Sequence, residues 1–114
     1  MRNLVKIFKA LSDPNRIRIL KMLEYRPLCV CEITEVLQLA TSTVSKHLSI
    51  LRDVELIIDR KEGKWVNYEL NHSAQDLNIK EVLAMVANRL NKDKTIVSDL
   101  KKVKSVDRNV ICSS

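Results

Sequence analysis

The sequence predicts a mostly helical α+β fold, in which one β-hairpin follows four amphipathic helices and precedes a further helical region. The chain has 114 residues, with one glycine and two prolines. This length fits a single domain, and so few helix-breaking residues favour helices over a fold of many strands and turns. We therefore assign residues 1–104 to one domain and residues 105–114 to a flexible tail.

Two helices are predicted before residue 27. Apolar residues in the first segment recur at the spacing i, i+3, i+4, i+7, which predicts an amphipathic helix over residues 2–11. Asp13 is a good N-cap and Pro14 suits a first helical position, so a second helix is expected to begin there. It should end near Tyr25, because Pro27 disfavours helix at the residue before it.

Two shorter helices joined by a tight turn come next. The first covers about residues 32–39. The second begins at Thr41 or Ser42 and runs to about Asp53, with apolar residues at i, i+4 and i+7. Because the second helix is rich in Ser, Thr and Lys, the pair predicts a helix-turn-helix motif.

The hydrophobic pattern then changes its period. Residues 56–60 and 65–70 are rich in β-branched, aromatic and aliphatic side chains, and between them lies Gly63, the single glycine of the chain. Glycine accepts the positive φ that a hairpin turn requires. A basic hairpin after a reading helix is a wing, so the prediction becomes a winged helix-turn-helix. Helical periodicity returns over residues 79–90 and continues weakly to residue 103.

Composition narrows the class of partner and the compartment. The 20 Lys and Arg against 14 Asp and Glu give a net charge of +6, which suits a protein that binds phosphate, although a merely soluble basic surface would look the same. No apolar run is long enough for a membrane span or a signal peptide, so we expect a cytoplasmic protein without a membrane partner. Three cysteines in a reducing compartment indicate ligands or reactive thiols.

Cys29 and Cys31 form the most distinctive motif. Soft ions select thiolate ligands, but side chains at i and i+2 of a helix point away from each other. The two thiols could share one ion only if the chain there is not regular helix, or if binding distorts it. The alternative interpretation is that both are buried apolar side chains.

The candidate DNA contacts lie on the second helix of the motif and on the wing. Short hydroxyl side chains allow close approach to a groove, and cations can meet phosphates or base edges. His47 lies beside the core row and is interpreted as structural. The candidates are Ser42, Thr43, Ser45, Lys46 and Ser49 on the helix, and Arg60, Lys61 and Lys64 on the wing.

Apolar rows at the two ends of the domain predict a homodimer. They exceed what a small winged helix needs for its own core, and a dimer would space two reading helices about one DNA turn apart. The candidate interface residues are Leu4, Ile7, Phe8, Leu11, Val82, Leu83, Val86 and Leu90.

Four motifs in this order resemble those of the ArsR/SmtB family of metal-responsive winged-helix repressors. They are residues 11–20, residues 28–33, residues 42–52 and the wing at residues 60–68, and the likeness covers about residues 4–90. The wing is similar to that of the arsenical-resistance repressors. The resemblance implies a homodimer that binds double-stranded operator DNA without a cofactor. It also implies release of the DNA when arsenic(III) or antimony(III), rather than an organic substrate, binds Cys29 and Cys31.

The resemblance also bears on which ion is bound. Cadmium and lead sensors of the family add cysteines near the N-terminus, and residues 1–28 contain none. Zinc sensors use Asp and His on the C-terminal helix, and no His lies between Asp76 and Asn91. The arsenic branch often has a third cysteine where this chain has Thr34. Cys112 is the candidate third ligand, but an idle thiol is favoured, because a ligand on a flexible tail must be ordered on binding.

Three other functions remain open at this point. In a redox-responsive DNA-binding regulator the cysteines would be oxidised. Because an i, i+2 disulfide closes a strained ring, a bond between subunits or a sulfenic acid would be favoured. A thiol enzyme such as an arsenate reductase would need an anion-binding loop beside an activated cysteine, and no glycine-rich loop surrounds Cys29, so we do not expect an enzyme. The third possibility is a DNA-binding protein without an inducer.

Overall fold

The computed structural model describes residues 1–111. The helices of this part of the chain are α1 (Arg2–Leu11), α2 (Pro14–Tyr25), α3 (Val30–Leu37), α4 (Thr41–Asp53), α5 (Leu77–Ala87), α6 (Lys94–Ser105) and α7 (Arg108–Ile111). The strands are β1 (Leu28–Cys29), β2 (Ile57–Glu62) and β3 (Trp65–Leu70).

A small antiparallel sheet forms the wing and joins it to the helix-turn-helix. The strand order is β1-β3-β2, with Cys29 opposite Asn67 and Glu62 opposite Trp65. Gly63 and Lys64 therefore make the turn, and Gly63 has φ 61°. The predicted α+β winged helix-turn-helix is confirmed, whereas β1 was not predicted, because two residues are too few to show a strand period.

The core lies where α2, α3, α4 and the base of the hairpin meet. Apolar side chains on these elements are almost completely buried, as expected for the inward faces of amphipathic helices. They include Ile19, Leu20, Ile33, Leu48, Leu51, Leu56 and Ile57.

Local capping explains where the helices begin. The Asp13 side chain accepts hydrogen bonds from the backbone N–H groups of Asn15 (2.8 Å) and Arg16 (3.4 Å), and α2 begins at Pro14 as predicted. Helix α3 begins at Val30, about two residues earlier than predicted. It ends at Leu37, and the C-cap residue Gln38, with a left-handed φ of 56°, begins the turn into α4.

The C-terminal helical region is divided in two. Leu90 has φ 64° between α5 and α6, and Asp93 caps α6 by accepting from the N–H groups of Thr95 (2.9 Å) and Ile96 (3.2 Å). The weak continuation of the pattern after residue 90 is thus a separate helix.

The segment predicted as a flexible tail is helical over Arg108–Ile111 and contacts α3. Its flexibility in solution stays a prediction. No helix within residues 1–111 is long and apolar enough to cross a membrane.

Candidate thiol and DNA-binding sites

Cys29 ends strand β1 and stands at the N-cap of α3. Its backbone is extended, with φ −88° and ψ 168°, and its side chain is buried. Its N–H donates a hydrogen bond to the Glu32 carboxylate over 3.0 Å. Cys29 itself is therefore not helical, although Cys31 lies in α3. The i, i+2 spacing requires such a departure from regular helix if the two thiols are to share one ion.

The surroundings of Cys29 raise the pKa of its thiol. Burial raises its pKa, because a thiolate loses more hydration than a thiol when it leaves water. The backbone N–H groups of Glu32 and Cys31 point to the sulfur and oppose this, whereas the negative charge of Glu32 adds to it. Cys29 is thus a less reactive thiol than its position at a helix start would suggest.

Cys31 lies in a different environment, two residues further on. It is exposed on the first turn of α3 and is disulfide-bonded. Because Cys29 is a free thiol, this bond does not join the two cysteines of the motif. The third predicted ligand, Cys112, lies outside the described residues.

Beside the two motif cysteines the structure places the Glu32 carboxylate, which accepts from the N–H of Cys29. No cluster of three His, Cys, Asp or Glu side chains within residues 1–111 could hold a metal ion. Thr34, one helical turn after Cys31, has a buried hydroxyl oxygen without a hydrogen-bond partner. With Cys31 reduced, the motif would supply two thiolate ligands, so a three-coordinate soft ion would need a third ligand from elsewhere.

An ion pair with a buried carboxylate supports the start of α3, and sequence reasoning did not find it. Arg26 lies 2.9 Å from the carboxylate of Glu32, which is 3% exposed, and also donates to the carbonyl oxygens of Val103 and Val106, both over 3.3 Å. The carboxylate that accepts from Cys29 is therefore connected to the end of α6. The acidic residue after the cysteine motif was visible, but its partner lies in another element.

The predicted reading face of α4 is exposed. Ser42, Thr43, Ser45, Lys46 and Ser49 all face solvent, whereas Val44, Leu48 and Leu51 on the opposite face are buried. The helix thus presents short hydroxyls and one cation on one side. This is the chemistry that close approach to a DNA groove requires.

His47 connects the reading helix to the body. Its ring is half-buried, and Arg16 donates to Nδ1 over 3.1 Å. The same guanidinium donates to the Ala10 carbonyl oxygen over 2.7 Å. These contacts support the structural interpretation of His47, and they join α4 to the end of α1 through α2.

The three cationic side chains predicted on the wing differ in their contacts. Arg60, Lys61 and Lys64 are all exposed, but Arg60 pairs across the sheet with Glu69 at 2.7 Å. The Lys64 Nζ lies 5.0 Å from the centre of the Trp65 ring. Lys61 and Lys64 are the better placed of the three for phosphate, because a contact by Arg60 would have to compete with Glu69.

The candidate interface residues divide into two groups. Ile7, Val82, Leu83 and Val86 are buried within the chain itself, and Leu4 and Leu11 are partly buried. Phe8 and Leu90 are exposed by 55% and 44%. Of the candidate interface residues, Phe8 and Leu90 are thus the ones exposed to a partner, and their neighbours Val5 and Met85 are exposed as well.

Comparisons with known proteins agree on one class. A family model described as "Bacterial regulatory protein, arsR family" matches residues 13–59. The chain is 41% identical over 68 residues to the arsenical resistance operon repressor of Escherichia coli, covering 59% of this chain and 58% of that one. It is also 41% identical over 75 residues to the arsenical resistance operon repressor of Staphylococcus xylosus, covering 66% of this chain and 72% of that one.

A solved structure shares the fold. Reduced HlyU from Vibrio cholerae superposes with a TM-score of 0.62 at 32% identity, over 75% of this chain and 85% of that one.

Proposed function

Because the chain belongs to the ArsR family of bacterial regulatory proteins, we propose that it is a transcriptional repressor whose homodimer holds operator DNA and releases it when arsenic(III) or antimony(III) binds Cys29 and Cys31. The observation that carries the proposal is the position of Cys29. It ends strand β1 in an extended conformation, directly before α3, the first helix of the helix-turn-helix. The similarity to two arsenical resistance operon repressors supports the choice of ion.

Once a thiol reductant has opened the disulfide of Cys31, binding proceeds by simple ligand exchange at the two thiols. Each thiol replaces one hydroxide of arsenous acid, its proton leaves with that hydroxide as water, and no oxidation or reduction takes place. Two sulfur–arsenic bonds thus form while two water molecules are released. The ion stays three-coordinate through a remaining hydroxide or through Cys112.

Because Cys29 is buried, this ligand exchange would require a change of conformation around it. The thiol is 3% exposed, and its residue pairs with Asn67 of β3 and donates to Glu32. Sharing an ion with the exposed Cys31 requires the thiol to leave this position, which disturbs the junction between β1 and α3. Because α3 packs directly on α4, the reading helix moves with it and loses its fit to the groove.

The DNA contacts follow from the exposed faces. Helix α4 enters the major groove with Ser42, Thr43, Ser45, Lys46 and Ser49, and the wing lies on the flanking backbone with Arg60, Lys61 and Lys64. The wing contributes affinity and salt dependence more than choice of sequence.

Operator binding and release can be measured with a selected DNA. Duplexes retained from a random-sequence pool by the purified reduced protein supply the operator probe. Fluorescence anisotropy at fixed salt then follows its release by arsenite, antimonite, cadmium, lead and zinc. We expect release by arsenite and antimonite alone. In Cys29→Ser/Cys31→Ser we expect operator affinity within about twofold of wild type, because neither thiol contacts DNA, and loss of release.

Cys112→Ser is the matched control, since it removes one thiol outside the motif. It should retain release, with an arsenite affinity that is unchanged if Cys112 is idle and weaker if it is a ligand. Arsenite release that persists in the double serine variant would overturn the proposal.

A thiol redox switch is the second candidate, and one observation favours it. Cys31 is disulfide-bonded rather than a free thiol. In such a switch two thiols lose two protons and two electrons to a peroxide, which leaves as two waters or their alkyl equivalents. Operator release by hydrogen peroxide, reversed by dithiothreitol and absent in Cys31→Ser, would favour this function. If only arsenite releases the operator, the first proposal holds.

A further inference from the structure

The C-terminal segment reaches the outer end of the wing through one side chain. Arg108 donates to Asn67 Oδ1 over 2.9 Å and to Glu62 Oε1 over 3.1 Å. Its guanidinium carbon lies 5.1 Å from the centre of the Trp65 ring. Glu62 ends β2 and Trp65 begins β3, so Arg108 contacts both strands beside the turn.

Besides its strand pairing, the outer half of the hairpin is held by exposed side-chain contacts, such as the hydrogen bond from Asn67 Nδ2 to Glu62 Oε2 (3.2 Å) and the Arg60–Glu69 ion pair (2.7 Å). In β2, every residue from Asp59 to Glu62 is exposed, and Gly63 and Lys64 at the turn are exposed as well. Isolated two-stranded hairpins are marginally stable in water. The Arg108 side chain, by contrast, is only 24% exposed. Its guanidinium combines two hydrogen bonds with a cation–π contact.

The other end of the segment is attached to the thiol site. Val106 packs partly buried against the core, and its carbonyl oxygen accepts from Arg26. Arg26 pairs with Glu32, which accepts from the N–H of Cys29. A continuous set of contacts therefore runs from the thiol motif to the wing.

Arg108 also pairs its positive charge with the carboxylate of Glu62 at the wing tip. Glu62 lies at the wing tip between Lys61 and Gly63, where a carboxylate would repel a DNA phosphate. Arg108 pairs with it. Removing Arg108 would thus take away a contact that joins the two strands and leave the exposed Glu62 carboxylate without its arginine partner.

We propose that Arg108 is a positioning residue for DNA binding, which fixes the wing so that Lys61 and Lys64 meet the DNA backbone. This inference rests on the proposed repressor function and adds a residue to it. Arg108 itself acts through the wing, because its donors are directed to Asn67 and Glu62.

The first test measures operator affinity and its salt dependence for Arg108→Gln in the reduced protein, with the selected duplex. We expect binding about tenfold weaker, which corresponds to about 1.4 kcal/mol, and a salt slope smaller by about one to two as wing contacts are lost. Lys101→Gln is the control: it removes one exposed positive charge on α6 outside these contacts, and should stay within about twofold.

The second test distinguishes positioning from direct contact. In a Lys61→Gln/Lys64→Gln background, Arg108→Gln should lower affinity by less than about twofold, because the contacts that it positions are already gone. If Arg108→Gln instead weakens binding by the same factor in this background as in wild type, Arg108 contacts DNA itself and the proposal is wrong.

The third test separates positioning from charge. Glu62→Gln/Arg108→Gln removes the uncovered carboxylate together with the arginine, and we expect it to remain weak, because the wing is still free. Full recovery of affinity would reduce the role of Arg108 to neutralising Glu62 and would overturn positioning. Arg108→Lys should bind more tightly than Arg108→Gln but less tightly than wild type. Lysine keeps the ion pair with Glu62 but cannot donate from two nitrogens to Asn67 and Glu62 as the guanidinium does.

Trp65 is the single tryptophan of the chain and reports directly on this contact. Its emission should shift to longer wavelength in Arg108→Gln without DNA and remain unshifted in Lys101→Gln, while the urea unfolding midpoint shows that each variant is folded. If wild type binds no selected duplex, both the repressor function and this inference fail. If wild type binds and is released by arsenite but Arg108→Gln behaves identically, this inference alone fails.

Discussion

At the scale of the residue, the two cysteines of the motif have separate chemistry. Cys29 is a buried free thiol at the end of a strand, and Cys31 is exposed on the first turn of a helix. With the disulfide of Cys31 reduced, a sensor built on this pair would react first at Cys31 and then draw the buried sulfur of Cys29 out of its position. Under the proposed mechanism, Cys29 is the thiol whose movement would disturb the fold.

The pH dependence of Cys29 alkylation tests this view. In Cys31→Ser/Cys112→Ser, Cys29 is the remaining cysteine, and its reaction with iodoacetamide follows the thiolate fraction. Burial raises its pKa, so the midpoint of the rate profile should lie above that of the same variant unfolded in urea. A midpoint at or below the unfolded value would contradict the buried, neutral thiol.

The same shift has a defined effect on stability. Between the unfolded and the folded pKa, the unfolded chain has lost the thiol proton while the native chain keeps it. The contribution of Cys29 is therefore fully present below the unfolded pKa and is lost as the pH rises through the folded one.

At the scale of the element, the wing depends on a single backbone conformation at its turn. Gly63 has φ 61°, and a Cβ built there meets no atom within 4 Å. A side chain would have space but would strain the backbone, since L-residues disfavour the left-handed region. The turn thus selects residues by conformation rather than by packing.

Substitutions of Gly63 should follow that conformational preference. We expect Gly63→Ala to lower the free energy of unfolding by about 1 kcal/mol and Gly63→Val by more, whereas Gly63→Asn should cost less than either. Urea unfolding followed by circular dichroism measures the three values. Equal losses for Asn and Val would show that something other than φ limits this position.

At the scale of the whole molecule, the fold determines which apolar residues remain for a partner. Helix α1 buries Ile7 in the domain and leaves Phe8 exposed by 55%. After α5, Leu90 is exposed by 44%. A homodimer formed through these elements would use the outward residues of the predicted rows, because the inward ones are already in the core.

Phe8→Glu tests the predicted dimer. A charge at the centre of an apolar interface should weaken dimerisation by at least about tenfold, while the unfolding of the monomer changes little because Phe8 is outside the core. Sedimentation equilibrium measures the association.

Val66→Glu is the matched control for this experiment. It adds the same charge at an exposed apolar position on the wing and should leave the dimer intact. Unchanged association of Phe8→Glu would remove α1 from the interface.

Much of the architecture could be read from local signals. Asp13 and Pro14 mark the start of α2, the row Val44, Leu48 and Leu51 marks the buried side of α4, and Gly63 marks the turn of the hairpin. Each of these depends on neighbours a few residues away, so hydrophobic period and capping chemistry are sufficient to reveal it.

Local sequence patterns did not reveal the contacts that hold the candidate site together. The acidic residue Glu32 was noticed after the cysteine motif, but its partner Arg26 and the attachment of both to Val106 join three elements. Arg108 is 41 residues away from Asn67 along the chain. No period or spacing records a pairing between residues so far apart.

The sequence by itself therefore determined helices α1 to α5, the hairpin turn, the exposed polar face of α4 and the thiol motif, because these arise from short-range propensities and patterns. Only the tertiary structure decided that Cys29 is buried and extended, that β1 joins the motif to the wing, and that Arg108 ties the C-terminal segment to the wing tip. The physical reason is that burial, and hence a thiol's pKa or an ion pair's strength, depends on which distant elements pack together.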